Sequence, residues 1–227
     1  MVQDCSSASS ASSVVESPRA SSTRIIIEPH SAALMPDIPA AALRAAIVLV
    51  LATACAARPN DGKPTWVLSG QSNAEKLEPF LTPYAHVVGF SKTSTAIDEW
   101  APGRPMWVRL APSLRSAASA FIWWQGESNN NDPPGSYRAR LADLAARVRA
   151  ASNRPDLLFV VIRVGPNYRP PGCNIYDEQQ AFVARDPHAV LVPSDDLEFA
   201  DYIHMTENGY RQMAARLAQT LHVEARR

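Results

Sequence analysis

Residues 65–76 read TWVLSGQSNAEK and begin as a β-strand before turning into something else. An apolar run, Trp66-Val67-Leu68, stops at Ser69-Gly70, and Gln71-Ser72-Asn73 follow where the chain must turn. A strand that is apolar without alternation is buried on both faces, as in a parallel sheet covered by helices. Polar residues that directly follow such a strand sit where open α/β sheets bind their ligands. Ser72 taken alone is either a turn serine, the commoner case, or a nucleophile. The stretch lacks the G-x-S-x-G pattern of the α/β-hydrolase elbow, so it does not decide between the two by itself.

Working outward, short runs rich in Val, Ile, Trp and Phe alternate with longer Ala/Leu/Arg segments of helical period. Strands are predicted at 65–70, 85–90, 121–126, 157–164 and 189–194, and helices at 136–152, 175–185 and 207–225. In the first of these helices Leu141, Leu144 and Val148 form one apolar stripe, with arginines on the remaining surface. This is the rhythm of a single α/β domain with a central parallel sheet. The polar NNNDPPG segment, 129–135, reads as a loop at the end of a strand.

The chain upstream of this domain has a different character. Residues 1–34 are Ser- and Ala-rich and unable to build a core, so they are expected to be a disordered or spurious extension. From Met35, the expected natural start, Arg44 precedes an apolar stretch ending in small residues, the pattern of a secretory signal over 35–57. The apolar part, 45–54, falls short of the about 20 residues that span a bilayer. Cys55 in LATAC resembles a lipobox cysteine, although Ala52 stands where a bulky aliphatic residue is expected. The folded domain is then 58–227, secreted or in the periplasm or cell envelope, with lipidation at Cys55 as a route to membrane attachment. N-terminal sequencing of the natural product, and labelled palmitate with a Cys55→Ala control, test these expectations.

Charge and cysteine content narrow the function classes. The 22 basic and 22 acidic residues cancel, and neither sign is blocked into a surface that could track nucleic acid. Only Cys5, Cys55 and Cys173 occur, which leaves Cys173 without a disulfide partner in the domain and excludes a cysteine-based zinc site. No P-loop, G-x-G-x-x-G or H-E-x-x-H is present, and no metal or other cofactor is expected.

The residues that follow each predicted strand form a consistent set. The first strand leads to Gly70-Gln71-Ser72-Asn73, the second to Ser91–Thr95, the third to Gln125-Gly126-Glu127-Ser128-Asn129, and the last to DLEFADYIHMTENGY. Asp201 and His204, three residues apart before a helix, are spaced so that the carboxylate can hold one imidazole nitrogen and leave the other free to take a proton. A serine within reach of that nitrogen becomes a nucleophile. An isolated D-x-x-H is more often a capping loop, and Asp195 and Asp196 also lie close to His204 in sequence.

Taken together, GQSN after the first strand, WWQGESN after a middle strand and DYIH before the final helix resemble the SGNH hydrolase superfamily. They are most similar to its sialic-acid O-acetylesterase and acetylxylan-esterase-like branch. The resemblance implies a three-layer α/β/α sandwich of flavodoxin-like type and metal-free hydrolysis of an acetyl ester on a carbohydrate. It makes Ser72 the nucleophile, His204 the base and then acid, and Asp201 its orienting carboxylate. The oxyanion hole it implies draws on the Ser72 N–H and a side-chain amide, Gln125 first and Asn129 second. The second family block reads G-G-T-S-I-x-x-W, whereas this chain has KTSTAIDEW, with Thr93 and Ser94 in the glycine places. Ser94 keeps a backbone N–H for the oxyanion but brings a side chain near the substrate.

Two other readings compete with a carbohydrate acetylesterase: the same site acting on other acyl esters or thioesters, and an inactive carbohydrate-binding or surface protein. Trp123 and Trp124 are expected to pack within the fold rather than to stack a sugar, and Glu127 to bond the loop carrying Ser72. His30, His86, His188 and His222 lack a matching carboxylate.

Overall fold

A computed structural model describes residues 61–168 and 174–223. The expected extension (1–34), the signal-like segment (35–57), Cys5, His30, Cys55 and Cys173 lie outside the described residues. All the elements below belong to the unit that runs from Lys63 onward.

Five strands form one all-parallel sheet in the order β2-β1-β3-β4-β5. They are β1 (Thr65–Gly70), β2 (His86–Ser91), β3 (Ala120–Trp124), β4 (Leu158–Ile162) and β5 (Ala189–Val192). The helices are α1 (Ser72–Leu81), α2 (Pro105–Leu110), α3 (Ser136–Ser152), α4 (Ile175–Val183) and α5 (Glu207–Thr220). The three long C-terminal helices and all five strands lie where the periodicity puts them, with ends shifted by a few residues. The chain between β2 and β3 has no equivalent expectation, because its short α2 and flanking 3-10 turns are too brief to show a period.

The three central strands alternate their side chains between two cores, which is the physical content of an apolar run without polar alternation. On one face Val67, Phe121, Trp123, Phe159 and Val161 pack with Leu141, Leu144 and Val148 of α3 and Phe182 of α4. On the other, Trp66, Leu68, Ile122, Trp124, Val160 and Ile162 pack with Leu77 of α1 and Met213 and Leu217 of α5. Helices therefore cover both faces, giving the three-layer α/β/α sandwich. Trp123 and Trp124 are fully buried, one in each core, so they serve packing as expected.

The strand order positions the site. From β1 the chain passes to β2 on one side, and β3 then lies on the other side of β1, so the crevice at the C-terminal ends of β1 and β3 is a topological switch point. Gly70 ends β1 there with φ +142°, and a Cβ at this position would come within 2.0 Å of the Trp124 carbonyl oxygen. Only glycine lets β1 and β3 close up directly beneath Ser72.

Candidate active site

Ser72 is the first residue of α1, which only Gln71 separates from the end of β1. Its backbone N–H, in the first turn, has no intrahelical carbonyl to bond. His204 and Asp201 arrive from the segment between β5 and α5, which an antiparallel bridge between Phe199 and Met205 closes into a tight loop. α5 brings this loop over Ser72 because Tyr210 stacks on Phe80 of α1 and meets the edge of Trp124, with ring centroids 6.0 and 5.9 Å apart.

The three residues form an unbroken chain. Ser72 Oγ lies 3.1 Å from His204 Nε2, and His204 Nδ1 lies 2.9 Å from Asp201 Oδ2. Asp201 Oδ1 accepts the backbone N–H of Ile203 at 2.7 Å and of His204 at 2.6 Å. These bonds to the backbone and ring of His204, and to the backbone of Ile203, hold the carboxyl down to about 2 although it is exposed. An ionised carboxylate can only accept, so Nδ1 carries the ring proton and Nε2 faces the serine as a base. Asp195 and Asp196 are engaged elsewhere. Asp195 accepts the Tyr176 hydroxyl at 2.6 Å, and Asp196 forms a two-point ion pair with Arg216 at 2.7 Å.

A buried polar knot underlies this chain. Asn73 Nδ2 donates to Glu127 Oε1 at 2.9 Å and to the Ile203 carbonyl at 3.1 Å, while Tyr210 Oη donates to Asn73 Oδ1 at 2.6 Å. One amide thus ties the nucleophile helix to the middle block, to the residue before His204, and to α5. Glu127 does reach the segment carrying Ser72, as the sequence suggests. The threefold role of Asn73 was not legible, since its partners lie 54, 130 and 137 residues away. Burial pushes the Glu127 carboxyl up, against the opposing effects of its hydrogen bonds and the nearby imidazole.

The side-chain amides expected at the oxyanion hole have other work. Gln125 is fully buried and directs its amide hydrogens at the Thr95 carbonyl, 3.1 Å away, and at Asn129 Oδ1, 2.7 Å away. Asn129 Oδ1 also accepts the Ile97 N–H at 2.9 Å, and its Nδ2 donates to Asp132 Oδ2 at 2.8 Å. Both hydrogens of the Gln125 amide being occupied, it has none left for an oxyanion, which corrects the expectation for that residue. Gln125 and Asn129 instead brace the β3 loop against the segment after β2. Ser94 takes a left-handed conformation, φ +59°, one that glycine adopts without steric cost. Glu75 of α1 holds this turn through Thr93, accepting its N–H at 3.1 Å and its hydroxyl at 2.6 Å.

A model of the carbohydrate esterase, sialic acid-specific acetylesterase family matches residues 82–222. The chain belongs to that family. This makes it a carbohydrate esterase, a carboxylic ester hydrolase that acts on acetylated carbohydrate. The matched segment contains Asp201 and His204 and begins after Ser72, which lies 3.1 Å from His204 Nε2.

Solved structures with the same fold include a protein from Arabidopsis thaliana, 18% identical with TM-score 0.58, the match covering 70% of this chain and 97% of that one. A carbohydrate acetylesterase from Xanthomonas citri is 15% identical with TM-score 0.56, covering 68% of this chain and 55% of that one. No curated protein matches the chain.

The contact chain runs from a recessed Ser72, 8% exposed, to the surface. The Asp201 and His204 side chains are 57% and 28% exposed. A groove of about 500 Å³ between α3 and α4, lined by Ala139, Ala142, Phe182 and Asp186 among others, contains none of the site residues.

Proposed function

We propose that the protein removes O-acetyl groups from a carbohydrate through a covalent acyl-enzyme. In this reading Ser72 is the nucleophile, His204 the general base and then acid, and Asp201 the carboxylate that orients the imidazole. The observation that carries it is the contact chain from Asp201 Oδ2 through both ring nitrogens of His204 to Ser72 Oγ, at 2.9 and 3.1 Å.

Ser72 Oγ bonds to the acetyl carbonyl carbon as its proton passes to His204 Nε2. The tetrahedral intermediate then breaks its bond to the sugar oxygen, which takes the proton from Nε2 and leaves as the free alcohol. Water repeats the sequence on the acyl-serine and releases acetate. The backbone N–H groups of Ser72 and Ser94 are the oxyanion donors that carry no other hydrogen bond among the described residues. The position of Ser72 at the start of α1 adds the positive end of a helix dipole.

The recessed Ser72 beside a more exposed His204 and Asp201 supports the choice of substrate, because a small acetyl group can reach the serine while a bulky saccharide stays at the surface. The signal-like segment supports action outside the cytoplasm, tested by sequencing the N-terminus of the natural product. Purified protein is expected to release acetate from acetylated saccharides and to hydrolyse p-nitrophenyl acetate. Ser72→Ala and His204→Ala should abolish both activities, and retention of parental rates in either variant would overturn the mechanism.

A further inference from the structure

Of the large apolar side chains among the described residues, Tyr202 and Val108 remain exposed, and Tyr202 stands between Asp201 and His204 with 43% of its surface open. The ring is fixed at both ends. Its hydroxyl donates to the Asn167 carbonyl at 2.9 Å, and Asn167 Nδ2 donates back to the Tyr202 carbonyl at 2.8 Å. Tyr168 meets it edge-on at 5.7 Å. The loop beneath it is closed by the Ala200 N–H bonding the His204 carbonyl at 2.8 Å. An aromatic ring held rigid in water contributes little to folding, but it presents a flat apolar surface whose ordering cost is already met before a ligand arrives.

The reaction places the ligand. The sugar oxygen must receive its proton from His204 Nε2, so the sugar lies on the side of Ser72 occupied by the loop that carries His204 and Tyr202. We infer that Tyr202 is a specificity-determining residue, its exposed ring stacking against the C–H face of the sugar that bears the acetyl group. This rests on the reading of Ser72 and His204 given above. The chemical class of substrate is accordingly an acetylated pyranose with an accessible apolar face, in preference to an acetyl ester of a small aliphatic alcohol.

The test is the ratio of kcat/KM for glucose pentaacetate to kcat/KM for ethyl acetate, measured by pH-stat for the full chain. Ethyl acetate has no ring to stack. Tyr202→Ala and Tyr202→Leu should each lower this ratio about tenfold, the scale of one aromatic contact. Tyr202→Phe and Tyr202→Trp keep a ring and should hold the ratio near the parental value. A ratio unchanged in the Ala and Leu variants, including an equal loss on both substrates, would overturn the inference. So would a fall in Tyr202→Phe as deep as in Tyr202→Ala, since the hydroxyl would then be the determinant. Failure of the parental protein to cleave either ester would instead reject the esterase mechanism, and the inference with it.

Discussion

Asn73 and Glu127 are joined by a buried 2.9 Å hydrogen bond across 54 residues of sequence, directly beneath the contact between Ser72 and His204. Because the same amide also holds the Ile203 carbonyl and accepts from Tyr210, removing it takes one hydrogen bond from each of three groups at once. Asn73→Ala is expected to destabilise the fold by about 1–3 kcal/mol, the cost of leaving buried polar groups unsatisfied. It should also lower kcat more than it raises KM, because the loop carrying His204 loses its tether to the nucleophile helix. Urea unfolding and steady-state kinetics measure the two effects separately.

Glu127 gives a pH signature. Its carboxyl is raised above the ordinary 4.5 by burial, so the folded state binds that proton more tightly than the unfolded chain does. The fold therefore gains stability as pH falls through the raised value, and the gain is complete below about 4.5. Glu127→Gln lacks this component. The difference in Tm, parent minus variant, is expected to grow as pH is lowered from neutral, and a difference that shrinks instead would contradict the assignment.

Asp201 behaves in the opposite sense. Its value is depressed to about 2, so its contribution is complete above the ordinary 3.8 and is lost only as pH falls through about 2. The carboxylate thus stays ionised far below neutral pH, and protonation of Asp201 should add no step to the fall of kcat/KM between pH 7 and the ordinary 3.8. Asp201→Asn, which no longer favours the proton on Nδ1, is expected to lower kcat by about 10² to 10⁴-fold, the upper end belonging to triads whose aspartate is buried.

Ser94 occupies a left-handed position, φ +59°, that costs a non-glycine residue about 1–2 kcal/mol. Ser94→Gly removes that strain and the side chain while keeping the N–H, but adds about 0.5–1 kcal/mol of backbone entropy lost on folding. The net change expected in urea unfolding is a stabilisation of about 1 kcal/mol or less. Activity should survive, with kcat/KM for a bulky saccharide ester rising more than that for ethyl acetate if the serine side chain crowds the approach.

Much of the fold was legible in the chain itself. Uninterrupted apolar runs at 65–70, 121–126 and 157–164 specify strands covered on both faces, and the stripe Leu141-Leu144-Val148 specifies a helix that covers them, because burial of alternate side chains leaves no other arrangement. Three short blocks at strand ends also offered Ser72, Asp201 and His204, which the fold brings within hydrogen-bond reach of one another. The hydrogen-bond partners of Gln125 were not legible for a physical reason: an amide near a site looks the same in sequence whether its hydrogens face solvent or a carbonyl, and here Thr95 and Asn129 take both. Tertiary structure alone decided that Asp201, rather than Asp195 or Asp196, holds the imidazole, since all three are close to it in sequence and only loop geometry brings one within 2.9 Å. It likewise decided the Asn73 knot and the exposed, pinned ring of Tyr202. Local sequence dictates which residues can do chemistry, while the hydrogen-bond partners that permit or forbid it are set by the fold, from Asn129 four residues from Gln125 to Tyr210, 137 residues from Asn73.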